Sequence, residues 1–410
     1  MFATLLASLL LAPPVADDWP RFRGPNGQGV ATSTAPTVWG VDKNVRWAVD
    51  VPADGWSSPV LGGGRVYLTG TTDDGTKCHV LAFDAGTGKL LWDRQVLTQT
   101  PSRKEGKNSY ATPTPTVAGG TVVAVFGQGA VVAVDAADGS TRWTYTGVSH
   151  YSQHGLGASP IVWKNLVVMA YDGSSPGPDK KVGWQTPWDG AVLVALDIAT
   201  GKEAWRAGRG KSRIGHATPV VLPVDGADVL LSQGGDVVQA FNPATGERLW
   251  SVANTGEGLV PSPVIADGRI ITTPGWPTPA VRAWTVSAAK SPPTLAWERT
   301  RNVPMLPSAV FVKGLLFAVS EKGIATAIDP KTGAVVWEER LSGSFSASPV
   351  TAGGKVYAVS EAGETTVFDA APAWNAVSRN TLPGVFQATP AIGGGRLYLR
   401  SDKKLYCISE

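Results

Sequence analysis

Asp84-Ala-Gly-Thr-Gly88-Lys-Leu-Leu-Trp92 is the stretch that decides the fold, because it returns four more times along the chain. The copies run Asp135 to Trp143, Asp197 to Trp205, Asn242 to Trp250 and Asp329 to Trp337. In all five a Gly stands four residues after the Asp or Asn, and the Trp stands eight after it. The Gly supplies the positive φ of a tight hairpin turn, and the Asx side chain can accept a bond from its own backbone two residues on. The Trp is a plate able to bury about 150–250 Å². Its natural place is a wedge between two neighbouring sheets.

A second mark opens each unit. Ser58-Pro59, Thr114-Pro115, Ser159-Pro160, Thr218-Pro219, Ser262-Pro263, the inverted Pro307-Ser308, Ser348-Pro349 and Thr389-Pro390 lie 41 to 59 residues apart. Two short apolar strands joined at a Gly turn follow each one, as in residues 60–68 and 391–399, and no helical period appears. Eight such units predict an all-β, eight-bladed β-propeller of four-stranded antiparallel blades. The last unit stops after three strands, whereas Trp47 lies in a strand with no unit in front of it. The N-terminal strand is therefore expected to complete the last blade and remove an open edge. The fifth unit is degenerate, keeping Trp297 after Trp284, and the seventh has Val377 where Trp is expected. Trp47, Trp92, Trp143, Trp205, Trp250, Trp297 and Trp337 are assigned the structural slot. Trp163, Trp184, Trp188 and Trp276 are placed mostly in loops.

Composition bounds the rest. The 410 residues are 43% hydrophobic and 17% charged, an ordinary globular balance. Forty-eight Gly and 31 Pro argue against a helical bundle, and a net charge of +3 argues against nucleic acid as partner. Residues 1–16 read as a secretory leader: a short apolar run too short to span a bilayer, with no cysteine behind it for lipid attachment. The expected organisation is leader 1–16, an N-terminal segment 17–40 and one propeller domain 41–410, exported, monomeric and not a lipoprotein. Cys78 and Cys407 fall on third strands of different blades, too far apart for a disulfide, and are expected to be free buried thiols.

The repeat resembles that of the pyrroloquinoline-quinone-like propeller family, whose Ala-x-Asp-x-x-Thr-Gly-x-x-x-Trp motif stands here as Ala82 to Trp92. The opening Asp18-Trp19-Pro20-Arg21-Phe22-Arg23-Gly24-Pro25-Asn26-Gly27 is similar to the start of exported bacterial, BamB-like members. The resemblance implies the fold. Its motif is structural and carries no active site with it. Quinoprotein dehydrogenases of the family have an adjacent cysteine pair and acidic or amide calcium ligands. Neither is evident here, so no cofactor is assigned.

Sites are sought on the face bearing the long loops. The residues just before each opening mark are expected to line the mouth of the central channel. As ligand-binding candidates these are Trp56, Tyr110, His154, His216 and Gln387, with Arg213 close by; Met305 and Phe345 belong to the same set. Residues 206–216, with four cations and no acid, are read as a basic rim with Arg94, Arg103, Lys104 and Lys107, suited to an anionic ligand. Against the pocket stands a plug, in which Trp56, Met305 and Phe345 fill the hole. His150 and His154, four apart in a loop without acids, do not make a metal site, and no catalytic set can be assembled. The favoured function is a non-catalytic exported module that binds an envelope protein or an anionic glycan. A quinone-dependent oxidoreductase and a polysaccharide-acting hydrolase or lyase are the alternatives.

Overall fold

The structure, a computed structural model, describes residues 18–410; the expected leader lies outside the described residues. Thirty-two strands form eight four-stranded antiparallel sheets, and no helix occurs among the described residues. Blades are numbered 1 to 8 from the mark at Ser58 to that at Thr389. Blade 1 runs from an inner strand, Val60–Gly62, through Arg65–Thr72 and Lys77–Asp84 to an outer strand, Leu90–Thr98. In blade 8 the outer strand is Val45–Asp50, antiparallel to Lys404–Ile408. The eight-bladed propeller closed by its N-terminal strand is the observed fold.

Burial follows strand position. The second strand of blade 2, Thr121–Val125, is buried at every residue because a neighbouring blade covers each of its faces. Such strands read as unbroken apolar runs. The outer strand Thr141–Tyr145 buries only Trp143. Each blade's outer strand also carries a bulge just before its slot residue, so Ala82 faces Trp92 while Phe83 faces Leu90. The extra residue strengthens the local twist and turns the indole toward the next blade.

The wedge has a defined seat. A Cβ at Gly88 would come within 2.7 Å of the Trp47 ring, and Gly139, Gly201, Gly246 and Gly333 stand likewise against Trp92, Trp143, Trp205 and Trp297 of the preceding blade. These glycines have φ between 71° and 76°, the left-handed region that the turn needs. Asp84 Oδ1 holds the turn by accepting from the backbone N–H groups of Gly86 and Thr87. The indole N–H groups of Trp143, Trp205 and Trp297 donate to carbonyls of Ile198, Pro243 and Pro330 in the following blade.

Blade 7 departs from the pattern. Its bulge puts Ser378, not Val377, opposite Val367 in the slot, because the turn before it is one residue longer. Trp39 from the N-terminal segment takes the place of the missing indole. Its ring stacks on Tyr357 at 6.5 Å, and its backbone N–H donates to Asn380 Oδ1. The tyrosines at the same site in blades 1 and 8, Tyr67 and Tyr398, lie against their own slot residues, Trp92 and Trp47. Trp163 is another difference from expectation: it ends the inner strand Ile161–Trp163 of blade 3.

Residues 18–31 cross the face opposite the long loops. Trp19 pairs with Leu61 of blade 1, the Pro20 carbonyl accepts from Val117 of blade 2, and Gln28 bonds both Pro263 and Ile265 of blade 5. Arg23 donates to Ala309 of blade 6, and Gly29 and Ala31 pair with Thr351 of blade 7. At the closing seam Arg400 of blade 8, fully buried, donates to the Ser57 and Thr69 carbonyls and to Ser57 Oγ in blade 1. Burial pulls this guanidinium down to about 9, against the opposing pull of the Asp54 charge, and the acceptors that bond it are neutral. Cys78 and Cys407 are free and buried, and burial pushes their thiols up to about 12 and about 11.

Trp250, 5% exposed among Ile270 and Trp284 of the next blade, should cost about 3–5 kcal/mol on replacement by Ala. Trp184, half-buried in an inserted loop, should cost less than a third of that in the same denaturant melts. Removing residues 18–50 takes away the blade 8 outer strand, Trp39 and the crossing segment together. The truncated chain should aggregate, as read by light scattering; a monomer with an unchanged Tm would refute the closure argument.

Candidate functional site

The opening marks form one continuous chain of bonds around the axis. The backbone N–H of Ser58 donates to Thr114 Oγ1, that of Thr114 to Ser159 Oγ, and so on through Thr218, Ser262, Ser308 and Ser348 to Thr389. These seven bonds tie blades 1 to 8 in succession at their innermost residues, and the seam between blades 8 and 1 is held instead by Arg400 on Ser57. The inverted Pro307-Ser308 keeps its hydroxyl in this ring, so the Ser/Thr, and not its order with Pro, is what the position requires.

Successive side chains of an extended strand alternate, so the residue two before each mark faces the axis as the mark does. In blades 1 to 4 these are Trp56, Thr112, Gly157 and His216; in blades 5 to 8 they are Val260, Leu306, Ser346 and Gln387. All eight line a cavity of about 370 Å³ at the channel mouth, stacked above the hydroxyls. Its floor includes Phe22, brought in from the opposite face by the crossing segment.

His154 comes from a loop. It packs on His216, with Nδ1 and Nε2 3.5 Å apart, and on the edge of Trp184. Glycines make the room: a Cβ at Gly157 would stand 2.9 Å from His216 Cβ, and one at Gly258 3.1 Å from His154. Residues 101–109 pass over the mouth. Asn108 donates to the His154 carbonyl at 2.7 Å, and Lys107 pairs at 2.7 Å with Glu361 of blade 7.

Of the residues chosen from sequence, Trp56, His154, His216 and Gln387 line this cavity and Tyr110 and Arg213 do not. Tyr110 packs on Gly75 of blade 1, under the Lys104 ammonium. Met305 and Phe345 stand three before their marks, one residue out of register. Phe345 accordingly turns into the core, and Leu306 and Ser346 take the wall. The sequence reading missed Thr112, Val260, Leu306, Ser346 and Phe22. A strict count of two back from each mark would have found the first four.

The basic rim is not free. Arg206 pairs with Glu203, Arg213 forks onto Asp236 at 2.6 Å, and the fully buried Arg209 grips Asp172 with both its Nε and Nη2. Among the described residues no group of three or more His, Cys, Asp or Glu could hold a metal ion.

Burial disfavours the charged form of His150, His154 and His216. It pulls His216 down to about 3, helped by the charges His154 and His150 would carry, and His150, packed on Tyr171, down to about 4; His154 is lowered as well. In the unfolded chain all three take protons near pH 6.5. Below that pH the unfolded state binds protons that the native state refuses, so stability is full above 6.5 and falls as pH drops toward 4. The slope should approach about 1.4 kcal/mol per pH unit for each of the two fully buried imidazoles, His150 and His216. Melts between pH 7 and 4.5 should show it, with a shallower slope in His150→Phe; a flat profile above pH 4.5 would count against the histidine burial.

A family model described as outer membrane protein assembly factor BamB matches residues 22–183, 188–308 and 281–409. A protein of that name from Burkholderia pseudomallei is 26% identical over 262 residues, 57% of this chain and 65% of the relative. The dehydrogenase subunit of an alcohol dehydrogenase (quinone) from Gluconacetobacter polyoxogenes is 29% identical over 245 residues, 56% of this chain but 30% of the relative. The chain thus matches less than two thirds of either relative's length. Among solved structures, BamB from Moraxella catarrhalis aligns over 89% of this chain and 97% of its own, at 15% identity and a TM-score of 0.60. Quinohemoprotein alcohol dehydrogenase from Comamonas testosteroni aligns over 95% and 80%, at 12% identity and 0.66. At these identities the structural likeness speaks for the fold alone. The family model, covering nearly all the described residues, goes further: this chain belongs to the BamB family of PQQ-like repeat propellers.

Proposed function

We propose that the chain is an exported, non-catalytic binding module of the cell envelope that holds a partner protein on its loop face. The observation that carries this reading is Trp276. Its residue is 61% exposed, yet its backbone is pinned, the N–H donating to the Glu257 carbonyl at 3.0 Å and the carbonyl accepting from Glu257 at 2.8 Å. A large exposed indole carried on a pinned backbone is the kind of side chain on which protein interfaces concentrate their energy. Similar short bridges join Trp188 to Ser212 and Gly215 to Leu259, so the loops of blades 3 to 5 present one braced surface. Four of the cations expected to attract an anionic glycan, Arg206, Arg209, Arg213 and Lys107, are paired within the protein, which favours the protein partner. The family membership supports a binding or scaffold role. No helix among the described residues is long and apolar enough to cross a membrane.

The quinone-dependent relative favours a second reading, oxidation with pyrroloquinoline quinone. That group is a flat tricarboxylate that works with a metal ion. The cavity offers it one cation, Lys107, already paired with Glu361, and its lining carboxylate, Glu105, would oppose it. The residues present do not fit the group.

A photo-crosslinking residue at Thr278, beside Trp276, should capture one envelope protein in the host cell. Titration of that protein, once purified, should show binding weakened at least about tenfold by Trp276→Ala. Alcohol oxidation by the purified full chain given pyrroloquinoline quinone, calcium and a dye acceptor would overturn the non-catalytic reading.

A further inference from the structure

We infer that the channel-mouth cavity is a binding site for the uncharged end of a saccharide, separate from the partner surface around Trp276 and not resting on it. The inference starts from the hydroxyl ring. Thr114, Ser159, Ser308, Ser348 and Thr389 each accept a backbone N–H from the preceding blade. Each is 2–4% exposed and lines the cavity, and none has an acceptor for its own O–H among the described residues. A buried hydroxyl that accepts and does not donate leaves a donor unused. Here several such donors stand around one axis, at the depth a ligand entering the mouth would reach.

The ring above them is divided. Val260, Leu306 and Trp56 are apolar, and Phe22 adds an aromatic ring to the floor. Gln387, whose amide makes no bond among the described residues, and the His216 imidazole are polar. A pyranose has the same division, apolar C–H faces and a rim of hydroxyls that both donate and accept. The cavity, at about 370 Å³, falls within the range of small-molecule sites, roughly 300–1,000 Å³.

Charge selects within the saccharides. Lys107 is the cation of the lining, and it is bound to Glu361; Arg213 is held outside by Asp236; burial disfavours the charged form of both imidazoles. Glu105 at the mouth is left to face the ligand, so a uronate or a sulfated sugar meets repulsion and no compensating cation. The anionic glycan expected from sequence gives way to a neutral one.

The test is a titration of the purified full chain, by saturation-transfer NMR and calorimetry, with methyl glucoside, methyl galactoside, N-acetylglucosamine and their β-linked disaccharides, against glucuronate and galacturonate. At least one neutral sugar should bind with a Kd below about 1 mM, changing less than twofold between 0.05 and 0.5 M NaCl. Gln387→Ala should weaken it at least tenfold at unchanged Tm, and Thr389→Val should do the same by removing one ring hydroxyl. Tyr110→Ala, outside the cavity, should leave it as it was. Should Thr389→Val fail to fold, Gln387→Ala decides alone. No binding across the panel, binding of the uronates alone with strong salt dependence, or binding untouched by Gln387→Ala would each overturn the inference. Capture of a partner at Thr278 beside an empty sugar panel would sink the saccharide site and leave the partner surface standing; sugar binding without capture would do the reverse.

Discussion

Eight twisted sheets close into a ring only if each is set at the right angle to the next, and the contact that sets the angle is an indole laid on a glycine. Five slot residues stand on turn glycines of the following blade, so close that one methyl group would displace them. The bulge before each slot turns the indole outward from its own sheet, and the positive φ of the glycine opens the seat. Where the slot lacks its Trp, in blade 7, the chain reaches back from its other end and inserts Trp39 against Tyr357. An unfilled wedge is evidently not tolerated in a closed ring, because a gap at one interface cannot be relieved by the other seven.

Closure at the outer radius has a counterpart at the inner one. The hydroxyl ring joins neighbouring blades at the axis, using a side chain that accepts a bond and fits beside its neighbours in a small circle. Every blade has Ser or Thr there. Two residues earlier, the same direction is occupied by Trp, Thr, Gly, His, Val, Leu, Ser and Gln. No bond repeated from blade to blade uses the side chain at that position, so its chemistry is at liberty. The cavity is thus a by-product of the architecture, and its character is written by residues the architecture leaves free.

The electrostatics of the loop face show how little a charge count says about a surface. Four cations in eleven residues look like an anion trap, yet Arg206, Arg209 and Arg213 meet Glu203, Asp172 and Asp236 in the fold. The last two acids come from other segments, 37 and 23 residues away. Arg209 and Asp172 are both buried, where an unpaired charge would cost several kcal/mol, so the pairing is required by burial. The long loops are braced by their own charges, and the channel mouth beneath them is lined mainly by indole, imidazole, amide, hydroxyl and aliphatic groups.

The repeat was legible because its parts are local. An Asx turn, a positive-φ glycine and a Trp eight residues on belong to one hairpin, and Ser/Thr-Pro belongs to the start of one strand, so the eight blades, the closing strand and the two separate thiols could all be read from residue order. The period of two along a strand is equally local, which is why Trp56, His216 and Gln387 could be chosen, and why Met305 and Phe345, one residue out of step, fell in the wrong place. What residue order could not contain is the meeting of distant segments. The bulge that moves blade 7's slot to Ser378, Trp39 in place of its missing indole, Phe22 rising into the channel floor, Lys107 reaching Glu361 over the mouth and the acids that neutralise the arginines all depend on where the ring brings unrelated stretches together. Local geometry is dictated by each residue and its near neighbours along the chain. Burial, pairing and the pKa of an imidazole are properties of everything that surrounds a group, and those surroundings exist only once the ring has closed.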